Sequence, residues 1–390
     1  MTANDRPRAL GDVVVLDLTT SIAGAWCSRL LADFGADVVM AEPPGGSPLR
    51  RLEPLARDPK SGANVSVVAS YVLANKQSVV IDVADEAGAS VLERLTARAD
   101  VVLTNSEPAR VIADRVLARE PRLIHVSVTP HGLDGGRAGW AGNDLTAWAL
   151  SGWASINGLA DRTPLKGSGN VASMVAGVGT FAATLAALVA RDRDGLGQRV
   201  DVAETEVLAT TFSPSMLRSL YTGKAEARDA RVDMTTGPVA VRDGYFALTI
   251  SRAHFWRDAM TLLGLPDLAE DQRFEASWYR QQHKADYVPR VEERMAGWTK
   301  MELFDALATL RVVAGPVLTM DELAENPHLR ARGYYVRPSG DGGDAIEFPG
   351  APFKMSKTPW TLLHAAPEVG ADSALGAVIS EVVPSMEVGR

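Results

Sequence analysis

The first half of the chain alternates short apolar runs with stretches of helical periodicity. Residues 13–17 form a β-branched run suited to a buried strand. Ala23, Cys27, Leu30, Leu31 and Phe34 then recur at helical spacing, and Gly35 stops that helix. Residues 37–42 read as the next strand, and strand, helix, strand implies parallel pairing through a right-handed crossover. After a loop rich in Pro, Gly and Arg from Pro43 to about Ala63, strands follow at 78–82, 100–103 and 123–127, with helices near 87–97 and 109–118. This alternation predicts an α/β fold whose larger domain is a Rossmann-like, doubly wound parallel sheet.

Two long helices are expected next, at 144–158 and 171–193, the second ending at a turn over 194–197. Beyond Met216 the pattern changes to a hairpin turning at Arg242-Asp-Gly244, followed by helices up to about Leu310. The expected division is a large domain at 1–221, a smaller α+β domain at 222–333, and a segment at 334–390 that returns to the large domain. Residues 171–190 carry no charge and are long enough to test as a membrane span. Their Ala, Gly, Ser, Thr and Val content is that of a buried helix instead, and no membrane association is expected.

Composition narrows the classes. A net charge of -8 gives no broad basic face for nucleic acid, although it leaves room for a local anion pocket. The single cysteine, Cys27, can form no internal disulfide, and no Cys/His group has metal-ligand spacing. No metal is expected. With a polar first segment, these features point to a reducing, cytoplasmic location.

Candidate chemistry is sparse. Gly167-Ser-Gly-Asn-Val-Ala172 fits a dinucleotide-binding pattern, but no strand precedes it, so it reads as a turn that starts a helix. His125 falls inside a strand and reads as a packed residue. His131 lies in a glycine-rich loop, where ligand contacts are commoner. Lys76 and the loop residues Arg50 and Arg51 are the candidates for binding an anion.

The local features, taken in order, resemble one family. They are Val14-Val-Leu-Asp-Leu-Thr with Ala23-Gly24, Leu30-Leu-Ala-Asp-Phe-Gly with Glu42-Pro-Pro-Gly-Gly, Asn75-Lys-Gln-Ser, Asp100-Val-Val-Leu-Thr-Asn105, Gly142-Asn-Asp-Leu with Ala149-Leu-Ser-Gly152, and Gly195-Leu-Gly-Gln-Arg-Val-Asp-Val202. The chain resembles the class III CoA-transferases, the carnitine dehydratase/formyl-CoA transferase family. The resemblance implies coenzyme A as part of an acyl-CoA substrate, a carboxylic acid as acceptor, and two subunits interlocked as rings. It places Ile22 and Ala23 at the adenosine end of CoA, Lys76 at its phosphates or pantetheine, and Asn105 beside it, with Arg50 a further cation for the same ligand.

The family's nucleophile is an aspartate four residues before the glycine that corresponds to Gly177, and that position here is Ser173. Related racemases carry a histidine where this chain has Asn143, beside Asp144. Asp144 can therefore be read either as a base or as a brace for the helix that starts there. Three readings stay open. The chain is a transferase subunit whose aspartate comes from a paralogous partner, or a stand-alone transferase, lyase, isomerase or racemase-like enzyme using another carboxylate such as Asp144, or a non-catalytic acyl-CoA-binding protein.

Overall fold

The structure, a computed structural model, describes residues 7–58, 62–211, 213–228, 232–250, 252–339 and 346–373. It forms two compact units. One comprises Met1–Ser155, Lys166–Glu226 and Ala331–Arg390; the other comprises Ile156–Leu165 and Ala227–Arg330.

The first unit holds β1 (Val14–Asp17), β2 (Asp37–Glu42), β5 (Gln77–Val80), β6 (Val101–Thr104), β7 (Ile124–Thr129) and β8 (Arg199–Ala203), after the short β3 (Leu55–Arg57) and β4 (Asn64–Ser66). The six longer strands form one parallel sheet in the order β5-β2-β1-β6-β7-β8. Strand order reverses between β1 and β6, the arrangement that opens a crevice at the carboxyl ends of those strands. Successive side chains point to opposite faces. Val15, Val101, Leu103, Ile124 and Val126 pack with Ala23, Cys27 and Leu31 of α1 (Ile22–Asp33) and with Ala176, Ala187 and Leu188 of α7 (Val171–Asp194). On the other face, Leu16, Val79 and Val102 meet Leu92 and Leu95 of α3 (Glu86–Thr96) and Ile112 and Val116 of α4 (Glu107–Leu117).

The long apolar helix α7 packs on α1 through small residues. At Gly177 an added Cβ would lie 2.7 Å from the Ala23 carbonyl oxygen, so only glycine lets the two backbones come this close. By length and hydropathy α7 could also cross a membrane, and 44% of its most apolar window is buried in this unit.

Three regions differ from the sequence expectation. The loop after β2 contains the β3–β4 hairpin and α2 (Val67–Val72) follows it. The helix expected at 144–158 is two, α5 (Asp144–Leu150) and α6 (Trp153–Ile156), because Gly152 takes φ 92° and breaks the run. The sheet's last strand, β8, leads directly into α8 (Glu204–Thr211) and α9 (Ser213–Thr222), none of which the periodicity singled out.

Residues past Ala331 return to the first unit. Asn75, at φ 62°, accepts the backbone N–H groups of Leu363 (2.7 Å) and His364 (3.0 Å) on its side-chain oxygen and donates to Asp33 (2.6 Å). The Trp360 indole also donates to Asp33 (2.6 Å). The Asn75-Lys-Gln motif thus anchors the returning segment.

The second unit is α+β. β9 (Val239–Val241) and β10 (Gly244–Thr249) form the expected antiparallel hairpin, and Val313–Pro316 adds a third strand against β10. Phe246, Trp256, Met260, Val291, Met295, Leu303 and Leu307 fill its core, and the buried Trp256 indole donates to the Leu268 carbonyl at 2.8 Å.

Candidate active site

A cleft of about 650 Å³ opens at the carboxyl ends of β1, β6, β7 and β8, where a sheet of this winding leaves its crevice. Its lining includes Ser21, Thr104, Asn105, Ser127, His131 and Glu204. Asn105, expected to contact CoA, is in it, and its side-chain oxygen accepts the Thr20 backbone N–H (3.2 Å), joining the loops after β6 and β1. His131 also lines the cleft, as a loop histidine suited to ligand contact would.

The other residues assigned to CoA are placed differently. The half-buried Ile22 packs on a cluster with Ala25, Met40 and Leu49, and Ala23 is fully buried between α1 and the sheet. Neither lines the cleft; their neighbour Ser21 does. Lys76 is buried, with its ammonium 3.1 Å from Asp17 and 2.9 Å from the Ala25 carbonyl. Asp17 also accepts from the Thr19 backbone (2.9 Å), the Thr19 hydroxyl (2.7 Å) and Ser28 (2.6 Å). Burial alone would raise this carboxyl, but Lys76 and the hydroxyl donors hold it below the usual carboxylate range. Arg50 makes a two-pronged contact with Glu42, both at 2.7 Å. Lys76 and Arg50 therefore have internal carboxylate partners, and Arg110 is the arginine that the cleft presents.

Ser173 and Asp144 do come together. Asp144 is the first residue of α5, whose start is fixed by a capping box between Asn143 and Thr146. Its Oδ1 accepts the backbone N–H of Ser173 at 2.9 Å. Ser173 is the third residue of α7, so the aspartate of one helix satisfies an orphan donor at the start of the other. Asp144 thus braces the start of α7, not its own helix α5 as the sequence suggested, and α5 is capped by Asn143 and Thr146. Lys166 Nζ lies 2.7 Å from Asp144 Oδ2 as an ion-pair contact, while it donates to the carbonyls of Gly167 and Gly169. The Ser173 residue is 6% exposed, and its backbone N–H is engaged by Asp144.

Two features of the cleft escaped the sequence reading. One is a buried relay beneath it: Thr104 Oγ1 lies 3.0 Å from His125 Nε2 and from Ser127 Oγ, and His125 Nδ1 lies 2.8 Å from Asp114. Burial lowers the histidine below its usual range against the pull of Asp114, so the ring stays neutral and serves as packing, as its strand position suggested. The other is Glu204, 5% exposed, whose carboxyl is pushed up to about 7, by burial first and by the charge of Asp144 second. Its signal was positional: it is the first residue after a strand whose carboxyl end faces the crevice.

The CoA-transferase family III model matches residues 10–373. The chain is 31% identical over 383 residues to the succinate–glutarate CoA-transferase of Agrobacterium fabrum, covering 95% of each protein. It is 29% identical over 374 residues to subunit BbsE of the succinyl-CoA:(R)-benzylsuccinate CoA-transferase of Thauera aromatica, covering 91% of this chain and 90% of that one. Among solved structures, a CAIB/BAIF family protein from Brucella suis superposes with a TM-score of 0.85 at 27% identity, over 95% of this chain and 99% of that one. With the six-stranded sheet and the cleft at its carboxyl edge, the match across nearly the whole chain makes this protein a member of CoA-transferase family III.

Proposed function

We propose that this chain takes part in moving coenzyme A between an acyl-CoA thioester and a carboxylic acid, as the subunit of a heteromeric transferase that lacks the nucleophilic aspartate. The observation that carries this reading is Ser173. A hydroxyl attacks a thioester only when a base takes its proton, and the neighbouring carboxylate, Asp144, is engaged with the Ser173 backbone N–H and Lys166. A carboxylate in that place would attack the thioester carbon and release CoA thiolate, leaving a mixed anhydride. The thiolate would then attack the enzyme's own acyl carbon, releasing the first acid and leaving an enzyme-bound CoA thioester for the acceptor to take over. A serine ester does not exchange in this way.

Two further observations support a partner chain. The relative from Thauera aromatica is itself named as a subunit. The helices α7 and α9 leave Val178, Val189, Leu217, Leu220 and Tyr221 between 44% and 88% exposed, which is apolar surface of the kind that partners cover. The cleft beside Asn105 and Ser21 is where we place the thioester.

The test is activity of the purified chain alone against the chain co-expressed with an aspartate-containing paralogue, using succinyl-CoA and a carboxylic acid. Transfer is expected only from the pair, and full transfer by the chain alone overturns the subunit reading. Ser173→Asp should restore a covalent CoA adduct that hydroxylamine releases.

A further inference from the structure

Glu204 is a buried carboxyl group that the fold leaves unused. It opens α8 directly after Ala203, is 5% exposed, and lines the cleft. No hydrogen bond or ion pair reaches its carboxyl group among the described residues. Its carboxyl opens on the cleft without a partner from the chain, so a ligand there can supply one.

The charges around it favour a neutral form. From α5 it faces Asp144, whose charge is held in place by the Ser173 N–H and Lys166. The start of α7, packed on α8, contributes no charged residue, since 171–190 has none. On its own helix Glu206 is exposed, and on β8 Asp201 accepts the Leu133 N–H. The cleft lining also includes His131, Glu107 and Arg110, the last ion-paired with Glu107 and Asp114.

We propose that Glu204, in its neutral form, donates a hydrogen bond to the carboxylate of the acid substrate, so that the acid binds together with one proton. This rests on the transferase reading and adds a specificity-determining residue to it. Two ionised carboxylates cannot sit in contact, whereas an acid and a carboxylate share one proton in a short, charge-assisted bond. The proton comes from solvent and no covalent step is involved. Because the Glu204 carboxyl lies at about 7 before any ligand arrives, uptake is expected to be about half a proton at pH 7 and to approach one at pH 8.

Calorimetric titration of succinate and of glutarate into the CoA-loaded full chain, in buffers of different ionisation enthalpy, counts that proton. Affinity should fall by up to about tenfold per pH unit above pH 7. Glu204→Gln keeps a donor of the same shape and should bind the acid with no proton uptake attributable to this site and no pH dependence. Glu204→Ala should lose about tenfold or more at pH 6. The inference is overturned if wild type binds neither acid, if it binds them without proton uptake at pH 8, if uptake accompanies the CoA thioester instead, or if Gln loses as much as Ala. CoA binding alone, measured on all three proteins, reports on folding and on the transferase reading. Its loss would count against that reading, whereas intact CoA binding with no proton uptake would count only against Glu204.

Discussion

Asp17 and Glu204 stand at the carboxyl ends of two strands of the same sheet, both largely buried, and they behave in opposite ways. Asp17 is the last residue of β1 and accepts four hydrogen bonds, one from a buried ammonium. Glu204 follows the last residue of β8 and accepts none among the described residues. Burial raises both carboxyls, yet Asp17 ends below the usual range and Glu204 rises to about 7. The difference is the donor set, not the depth. One end of the crevice is closed by its own chain. The other holds a group that a ligand must complete.

The largest expected effect comes from breaking the closed end. Asp17→Asn leaves the Lys76 ammonium buried opposite a neutral amide, and removing one partner of such a pair costs about 3–5 kcal/mol. Urea unfolding should show a midpoint lowered accordingly, and Lys76→Met should cost a similar amount. A loss below about 1 kcal/mol in both would mean that the donor set around Asp17 is not what holds this turn.

At the open end the sign reverses. The unfolded chain ionises Glu204 near 4.5 and the folded chain near 7, so the stability tied to this proton is complete below pH 4.5 and is lost as pH rises through 7. That gap corresponds to on the order of 3 kcal/mol. Glu204→Gln cannot titrate, so it should gain stability on wild type by that order between pH 5 and pH 8. Equal gains at both pH values would show that the carboxyl ionises as freely in the folded chain as in the unfolded one.

The contrast also explains what the sequence could reveal. The sheet was legible because each strand carries a β-branched run and each covering helix an apolar stripe, and these are local signals. Residues 37–42 coincide with β2, and α1, α3 and α4 lie within two residues of their expected bounds. β8 was hidden because Arg199-Val-Asp-Val alternates with charge, and the 144–158 helix failed because one glycine takes a left-handed turn. The site was harder. Lys76 and Arg50 have the residue type of anion binders, but only the packed structure shows that Asp17 and Glu42 occupy them. Glu204 belongs to no motif that would single it out, and its lack of donors is visible only in the fold. Whether a charged group is satisfied depends on contacts across tens of residues, and periodicity carries none of that.

The smallest effect sharpens the comparison most finely. Asn143 caps α5 one residue before Asp144, through Thr146 N–H at 3.1 Å and the return bond from its own N–H to the Thr146 hydroxyl at 2.8 Å. Asn143→Ala removes the first of these and should cost about 1 kcal/mol, read as a lowered melting temperature. It also loosens the turn that aims Asp144 at Ser173. If the charge of Asp144 is part of what lifts Glu204, the pH at which acid binding weakens should move down by a fraction of a unit in this variant. A lower melting temperature with that pH unchanged would show that the Ser173 N–H and Lys166 hold Asp144 by themselves. Its charge would then still act on Glu204 from an unchanged position, and the open end of the crevice would be defined by burial, by that charge and by the donors missing around one side chain.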